Sequence, residues 1–368
     1  MLLNAEQKCM LWLSAAEITP GKVQDLLNRY GSLEEVWERF GKDEELHFRG
    51  VAQNILQSLH SRDAVDELHG TLERKNVKLL FRDDEAYPEM LASIQDPPYL
   101  LYYAGKLDCL KRPMIAVVGT RRASTYGQEM AAMIARGLSD AGVCVVSGLA
   151  RGIDGAAHKA VVDAGGRTVG VLGSGINVPY PPEHTELLRR MAGGVGLVLS
   201  EYPLNAEPRP FHFPHRNRII SGLCMGTVFV EGRIQSGGMH TVHAALMQGR
   251  EVFAVPGKVG SYGSEGPHAI LREGARIVTS AQDVLEDLGL DDGSAKCKSK
   301  PALDQHLTPL QKRIVALLHV EALGLAELAE CLEISENELF GEIGTLEILG
   351  VIEREAGNRF HLPLTARQ

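Results

Sequence analysis

Arginines and small residues stand directly after several short apolar runs of this 368-residue chain. The first such run, 115–118, is followed by Gly119, Thr120, Arg121 and Arg122. Guanidinium groups bind phosphate oxygens in pairs, and free backbone N–H groups at the start of a helix also favour anions. The stretch therefore predicts a buried parallel strand, a tight turn that binds phosphate, and the beginning of a helix.

The same combination of small and basic residues returns after later apolar runs. These loops contain Gly148 and Arg151, then Gly173 and Ser174, then Arg216, Asn217 and Arg218, then Ser236 and Gly237, and finally Lys258. We expect the cationic side chains to neutralise successive phosphates. The N–H groups of Gly119, Gly148, Gly173, Ser236 and Gly237 are expected to add hydrogen bonds. Such loops along one edge would suit a single nucleic-acid strand, with little preference for base sequence.

Motifs for other chemistry are missing from the sequence. No G-x-G-x-x-G follows a predicted strand and no G-x-x-x-x-G-K-[ST] is present, so dinucleotide and Walker-type ATP binding are not supported. His240 and His243 have the wrong spacing for a helical zinc pair. We expect Glu231 to orient Arg216 or Arg218 through an ion pair. No nucleophile–base set can be assembled, so the sequence predicts no catalysis, no cofactor and no metal.

The elements that must position these loops alternate between strand and helix across residues 112–285. Strands are predicted at 115–119, 143–147, 168–172, 197–200, 226–230, 251–255 and 275–278. Helices are predicted near 125–141, 153–164, 182–192, 217–223, 237–248, 265–273 and 280–287. This alternation is typical of a doubly wound, Rossmann-like α/β fold with a mostly parallel sheet. In that fold all strand-to-helix loops emerge at the same edge.

Flanking segments suggest two further domains around the sheet domain, which we place at 81–288 with its core at 112–285. Residues 1–80 predict helices at 4–16, 21–30, 32–40 and 52–75, as in a helix-hairpin-helix or SAM-like module, with a plain helical packing domain as the alternative. Residues 77–111 switch to strand and turn signals that lead into the sheet. Residues 289–307 predict a polar linker.

Residues 308–368 predict a winged-helix domain, with helices at 308–319, 324–332 and 335–349 and a hairpin at 351–362. The third helix usually enters DNA in such domains. Here it carries Glu336, Glu338, Glu342 and Glu347 and no basic residue. We therefore expect this domain to contact protein or to tune dimerisation, with DNA contact as the alternative.

The net charge of −9 is unevenly distributed along the chain. Residues 112–285 hold 17 Lys and Arg against 13 Asp and Glu. The flanks are acidic, with 13 against 19 in residues 1–111, 3 against 5 in 286–307, and 5 against 10 in 308–368. The basic central segment relies almost entirely on arginine, which binds phosphate in pairs of hydrogen bonds and stacks on bases. A polyanionic partner is therefore compatible with the overall negative charge.

The sequence gives no sign of a membrane or of secretion. No apolar run reaches the about 18 residues that a membrane span needs. The first residues place Glu6 and Lys8 inside their apolar stretch and lack a cleavage site, so we expect no signal peptide. The six cysteines are scattered without C-x-x-C spacing, as reduced thiols would be. We expect a cytoplasmic protein.

Longer stretches of the central segment match a known family. They include YPEMLASIQDPPYLLYYAG (87–105), IAVVGTRRASTYG (115–127), VVSGLARGIDGAAHKAV (145–161), SEYPLNAEPRPFHFPHRNRIISGL (200–223) and SGGMHTVHAALMQGREVFAVPG (236–257). In these residues and their order the chain resembles the bacterial DNA-processing protein A family, DprA, also called Smf. The resemblance implies a Rossmann-like domain that binds single-stranded DNA, forms a homodimer, protects incoming strands and loads the recombinase RecA during natural transformation.

The resemblance also assigns site residues. The family's DNA-binding arginine of the G-[ST]-R loop maps onto Arg121, its R-G-I-D segment onto 151–154, and its F-P-x-R-N-R segment onto 213–218. Two positions depart from the family. Glu186 stands where some members have lysine, and Arg189 and Arg190 are the nearest residues that could replace that charge. Glu231 is followed by glycine instead of the usual alanine.

Two alternative functions follow from other features. Related Rossmann-like folds hydrolyse nucleoside monophosphates, and Glu231 with the Ser236-Gly237-Gly238 turn partly matches their phosphate site. A regulator that binds duplex DNA through residues 308–368 is the third interpretation.

Overall fold

Short runs of apolar residues form the parallel strands at the centre of the fold. The computed structural model describes residues 3–291, 307–319, 321–355 and 358–362. The chain separates into two compact units, Met1–Leu290 and Asp291–Gln368. The predicted linker at 289–307 lies mostly outside the described residues.

The first unit begins with five helices and an antiparallel strand pair. In chain order these elements are α1 (Ala5–Ala15), α2 (Pro20–Tyr30), α3 (Leu33–Arg39), α4 (Val51–Ser58), α5 (Arg62–Arg74), β1 (Lys78–Phe81), α6 (Glu89–Ala92) and β2 (Leu100–Gly105). The single helix predicted at 52–75 is wrong. The chain breaks at 59–61, where the Ser61 side chain accepts the N–H of Ala64 at 3.1 Å and so starts α5 as a separate helix.

The remaining elements of the first unit alternate as predicted. They are β3 (Met114–Val118), α7 (Thr125–Asp140), β4 (Cys144–Ser147), α8 (Ile153–Asp163), β5 (Thr168–Leu172), α9 (Thr185–Arg190), β6 (Leu197–Ser200), α10 (His212–Leu223), β7 (Gly226–Phe229), α11 (Gly237–Met247), β8 (Glu251–Ala254), α12 (Glu265–Arg272), β9 (Arg276–Ile277) and α13 (Ala281–Asp287). Helix α10 begins five residues before its predicted start. Pro214 lies in its first turn, where a missing N–H costs no intrahelical hydrogen bond.

The strands form one nine-stranded sheet in the order β1-β2-β6-β5-β4-β3-β7-β8-β9. Strands β3 to β9 pair in parallel, with Ile115 opposite Val145 on one side and Gly226 on the other. Strand β2 pairs antiparallel with β6 and with β1. The doubly wound, mostly parallel α/β fold is confirmed. Its carboxyl ends share one edge, and the strand order reverses beside β3, where such sheets bind ligands.

Helices of the first 80 residues share a hydrophobic core with one face of this sheet. Trp12, Val36 and Leu72 are fully buried and belong to the same cluster as Leu100 and Val198 of the strands. The domain boundary expected near residue 80 stays a prediction.

The second unit contains α14 (Pro309–Leu318), β10 (Leu323–Gly324), α15 (Leu325–Leu332), α16 (Glu336–Ile348), β11 (Glu353–Glu355) and β12 (Arg359–His361). Its strands form a small sheet in the order β10-β12-β11. The predicted helices and hairpin are present, whereas the winged-helix assignment stays a prediction. Across the described parts of the chain, no helix is both long and apolar enough to cross a membrane.

The core of the helical segment generates a stability prediction. Trp12 has no exposed surface, contacts Trp37 and Phe40 edge to face at 4.9 and 5.0 Å, and donates from Nε1 to Leu56 O at 2.8 Å. Trp12→Ala is expected to lower the free energy of unfolding by about 3–5 kcal/mol, measured by urea denaturation followed by circular dichroism. Val51→Ala, at a position 70% exposed, should change it by less than about 0.5 kcal/mol. Equal effects would show that the cluster does not stabilise the fold.

Candidate nucleic-acid interface

A cavity opens at the carboxyl edge of the sheet, where the loops after β3, β4 and β5 meet the start of α10. We call it the arginine cavity. It is lined by Arg121, Gly148, Ala150, Arg151, Gly173, Tyr180, Pro181, Phe213 and Arg216. Five of the predicted site residues therefore meet at one place, although the first and the last of them, Arg121 and Arg216, are about 95 positions apart in the sequence.

Arg216 supplies the buried positive charge of this cavity. It is only 4% exposed, and its Nη1 donates to Gly148 O at 2.9 Å and to Val171 O. Burial lowers the pKa of Arg216 to about 10, and the charge of Arg121 adds to this lowering. The guanidinium remains charged at neutral pH, but its charge is only partly compensated within the protein. An anion in the cavity would stabilise both arginines.

Asp154, near the start of α8, is the carboxylate that most stabilises Arg216. Its Oδ2 accepts the N–H of Gly148 at 3.0 Å, and burial raises its pKa. A Cβ at position 148 would lie 2.7 Å from Arg216 Nη2 and 2.8 Å from Asp154 Oδ2. Glycine at 148 therefore allows these two charged groups to approach the β4 loop. The Gly148 N–H, which we expected to face DNA, is already engaged.

Arg121 reaches the cavity across an aromatic wall. Its Cζ lies 5.0 Å from the centre of the Phe213 ring, and that ring lies 5.4 Å from the ring of Tyr180. Phe213 packs so close to Gly173 that a Cβ there would lie 2.9 Å from the ring. The predicted site omitted these aromatic residues. The sequence did contain a signal for them: Phe213 stands near Arg216, and Tyr180 lies in the loop after Gly173. Aromatic side chains interleaved with arginines favour stacking of bases.

Arg151 reaches the cavity rim but is held by a carboxylate. It is about half exposed, and its Nη2 donates to Glu183 Oε2 at 3.1 Å while Nε contacts Oε1. Hydrogen bonds from Arg151 lower the pKa of Glu183 to about 2. Glu183 is therefore ionised at neutral pH, where it pairs with Arg151.

The arginines expected to replace the family's lysine are also paired. Arg189 contacts Glu186 and Arg190 donates to Asp163 at 2.7 Å. Neither lines the arginine cavity.

Glu231 holds the first loop instead of orienting an arginine, so the expected ion pair with Arg216 or Arg218 is wrong. Its Oε2 accepts the N–H of Ser124 at 2.8 Å, at the start of α7, and its carbonyl accepts the N–H of Thr120 at 2.7 Å. The Arg122 N–H donates to Thr120 Oγ1 at 3.2 Å. These groups are not free for phosphate. The first loop contributes to the cavity through the Arg121 side chain.

Three other predicted residues do not line the cavity. The Arg218 Nη2 donates to both oxygens of Glu201, at 2.5 and 2.7 Å, and its Nε lies 3.5 Å from Asp96. Asn217 is buried and donates to Gly237 O at 3.2 Å, so it links α10 to the start of α11. Ser174 is buried and donates to Val178 O at 2.8 Å. We interpret these three as structural residues of the loops.

The remaining predicted residues lie at the same edge of the sheet. Gly119, Thr120 and the exposed Arg122 follow β3. Ser236 and Gly237 stand at the start of α11 after β7, where the Ser236 N–H donates to Arg233 O at 2.9 Å. Lys258 is exposed in the loop after β8.

His212 connects the helical segment to the cavity wall. Its Nε2 lies 3.3 Å from Glu17 Oε2, and its Nδ1 lies 3.2 Å from Gly173 O. The ring stacks on Tyr202 at 3.9 Å. Helix α10 is therefore fixed from both sides immediately before Phe213.

Comparison with known proteins assigns the family. The family model described as DNA recombination-mediator protein A matches residues 78–289, which contain the whole sheet and the cavity. The chain belongs to this family.

Relatives agree with this assignment. Protein Smf of Escherichia coli K12 is 44% identical over 217 residues, which are 59% of this chain and 58% of that protein. The chain thus spans less than two thirds of that relative's length. DNA processing protein DprA of Streptococcus pneumoniae R6 is 44% identical over 223 residues, 61% of this chain and 78% of that protein.

Two solved structures share the fold. The X-ray structure of Streptococcus pneumoniae DprA has a TM-score of 0.65 at 35% identity and covers 78% of this chain and 99% of that one. DNA processing protein A of Helicobacter pylori, solved for its single-stranded DNA binding mode, has a TM-score of 0.53 at 26% identity and covers 58% of this chain and 96% of that one.

The Arg151–Glu183 pair generates a prediction of gained affinity. Glu183→Gln removes the carboxylate that holds Arg151 and should strengthen binding of oligothymidine about two- to fivefold, measured by fluorescence anisotropy. Glu186→Gln is the matched control, because it removes the same charge from a glutamate whose partner, Arg189, does not line the cavity. Equal gains in both variants would show that Arg151 is not a ligand and that only net charge changed.

Proposed function

We propose that this member of the DNA recombination-mediator protein A family binds single-stranded DNA in the arginine cavity. The observation that carries the proposal is the buried Arg216 guanidinium at the cavity wall. Its pKa is lowered by burial and by the charge of Arg121. A phosphate placed between these two arginines would reduce their mutual repulsion and compensate for lost hydration. Protein groups alone leave that charge partly uncompensated.

The cavity suits an unpaired strand better than a duplex. Phe213 and Tyr180 offer ring surfaces beside Arg121, and a base can reach them only when it is unpaired. In the second unit, α16 carries Glu336, Glu338, Glu342 and Glu347, so a role in duplex binding receives no support from charge.

The relatives support the same proposal. The Helicobacter pylori protein of similar fold was solved for its single-stranded DNA binding mode, and the family is described as a recombination mediator. We extend this to the finer role: the chain protects incoming strands and loads the recombinase RecA onto them. It does so as a homodimer formed through the sheet domain, in the cytoplasm, without a cofactor.

The hydrolase alternative receives little support from the geometry. It needs the Glu231 carboxylate beside the Ser236-Gly237-Gly238 turn as a free acid or base. That carboxylate is buried and accepts the N–H of Ser124 at the start of α7. Its contacts are those of a group that shapes a loop, and we therefore propose a binding protein that does not catalyse a reaction.

Charge reversal at Arg121 tests the proposal. Arg121→Glu should weaken oligonucleotide binding by at least tenfold and by a similar factor on all base sequences, because a phosphate contact carries no sequence information. The slope of log affinity against log salt concentration should fall by about 0.7 for the lost contact. Fluorescence titrations at several salt concentrations measure both quantities.

Arg136→Glu is the matched control. Arg136 is an exposed arginine near the carboxyl end of α7, so its reversal changes net charge equally outside the cavity. Its affinity should stay within about twofold of the original protein. Full affinity in Arg121→Glu, or equal losses in both variants, would contradict the proposed site.

A further inference from the structure

A second basic and apolar patch lies at the same edge of the sheet, outside the arginine cavity. It consists of the exposed side chains of Ile234, Val259 and Tyr262 together with Arg233 and Lys258, and we call it the Tyr262 surface. Tyr262 is 78% exposed, Val259 86% and Ile234 48%. Three large exposed side chains on two adjacent loops, flanked by two cations, indicate a binding surface.

The two loops that carry this surface are held together by their backbones. The Gly232 N–H donates to Gly263 O at 2.7 Å, and the Gly266 N–H donates to Gly232 O at 2.8 Å. The turn that contains Tyr262 is therefore fixed on the loop after β7. The ring is exposed on an ordered support, which lowers the entropy lost when a ligand stacks on it.

Arg233 and Tyr262 already form a stacked pair. The Arg233 Cζ lies 5.5 Å from the centre of the Tyr262 ring, and its Nε lies 3.3 Å from Glu265 Oε2. Glu265 therefore orients the guanidinium over one ring face. An aromatic ring backed by an arginine is the arrangement on which unpaired bases stack, because every base has a π face.

The loops that carry the Tyr262 surface are hydrogen-bonded to the β3 loop, which carries Arg121, and to α7. The Thr120 N–H of the β3 loop donates to Glu231 O at 2.7 Å, and the Tyr126 hydroxyl donates to Pro256 O at 2.7 Å. From β3, whose loop carries Arg121, to β8 the sheet crosses two strand spacings, which is about 10 Å. A strand held at Arg121 therefore reaches Tyr262 within a few nucleotides.

We propose that the Tyr262 surface is a second contact for the same single-stranded DNA. One base stacks on Tyr262, while Lys258 and Arg233 contact the neighbouring phosphates. This proposal rests on the proposed function of the arginine cavity. Charge complementarity with phosphate and the hydrogen bonds that join these loops to the β3 loop favour DNA over a protein partner or a second copy of the chain.

Oligothymidines of two lengths separate the two sites. A dinucleotide occupies the arginine cavity alone, and an oligonucleotide of about 15 nucleotides also reaches the Tyr262 surface. Tyr262→Ala should weaken binding of the longer one at least about fivefold and leave the shorter one unchanged. Tyr262→Phe should restore the affinity, because stacking needs the ring and not the hydroxyl. Phe340→Ala removes an aromatic side chain of similar exposure from the second unit and should have no effect.

Photocrosslinking with 5-iodouracil gives an independent readout. A label placed along the longer oligonucleotide should crosslink to Tyr262 at one group of neighbouring positions, identified by mass spectrometry. Light scattering of Tyr262→Ala should give the mass of the original protein.

The outcomes distinguish this proposal from the proposed function. If Tyr262→Ala binds the longer oligonucleotide as tightly as the original protein while Arg121→Glu weakens both lengths, the second contact is wrong and the cavity stands. If Arg121→Glu weakens neither length, the cavity assignment is wrong. A change of mass in Tyr262→Ala would instead make the surface an interface between copies and overturn the proposal.

Discussion

The site depends on one buried guanidinium. Arg216 donates to Gly148 O after β4 and to Val171 O of β5, and so joins the start of α10 to two strand ends. A charged group this deep is costly unless hydrogen bonds and an opposite charge accompany it. Asp154 supplies that charge in part. A Cβ at position 148 would crowd both groups, at 2.7 Å from Arg216 Nη2 and 2.8 Å from Asp154 Oδ2.

At the carboxyl edge of the sheet, side chains supply the positive charge, whereas a typical phosphate-binding loop uses free backbone N–H groups. Glu231 occupies the start of α7 and Asp154 accepts the Gly148 N–H, so the protein's own carboxylates fill the sites that a phosphate would take. What faces the cavity is the side chains of Arg121, Arg151 and Arg216 beside Phe213 and Tyr180. Arginine and aromatic side chains bind a nucleotide by charge and stacking, and this chemistry is tolerant of base sequence.

The sequence predicted the architecture well because strands and helices leave periodic patterns, and because parallel strands must share one loop edge. It could not predict which arginine faces the cavity. Arg216 and Arg218 are two positions apart on α10, about 200° around the helix, so only one can face the loops after β4 and β5. The hydrogen-bond partner of the Glu231 side chain could not be predicted for another reason. Its hydrogen bond reaches Ser124, 107 positions away, and no local pattern reports such a contact.

Hydrogen exchange of the full chain, with and without saturating oligothymidine, tests the central claim most directly. If one strand lies across the gathered loops, exchange should slow in residues 119–122, 148–152, 173–181 and 213–216, and the amides at the opposite edge of the sheet should be unchanged. Protection confined to residues 308–362 would contradict the account and place DNA on the second unit.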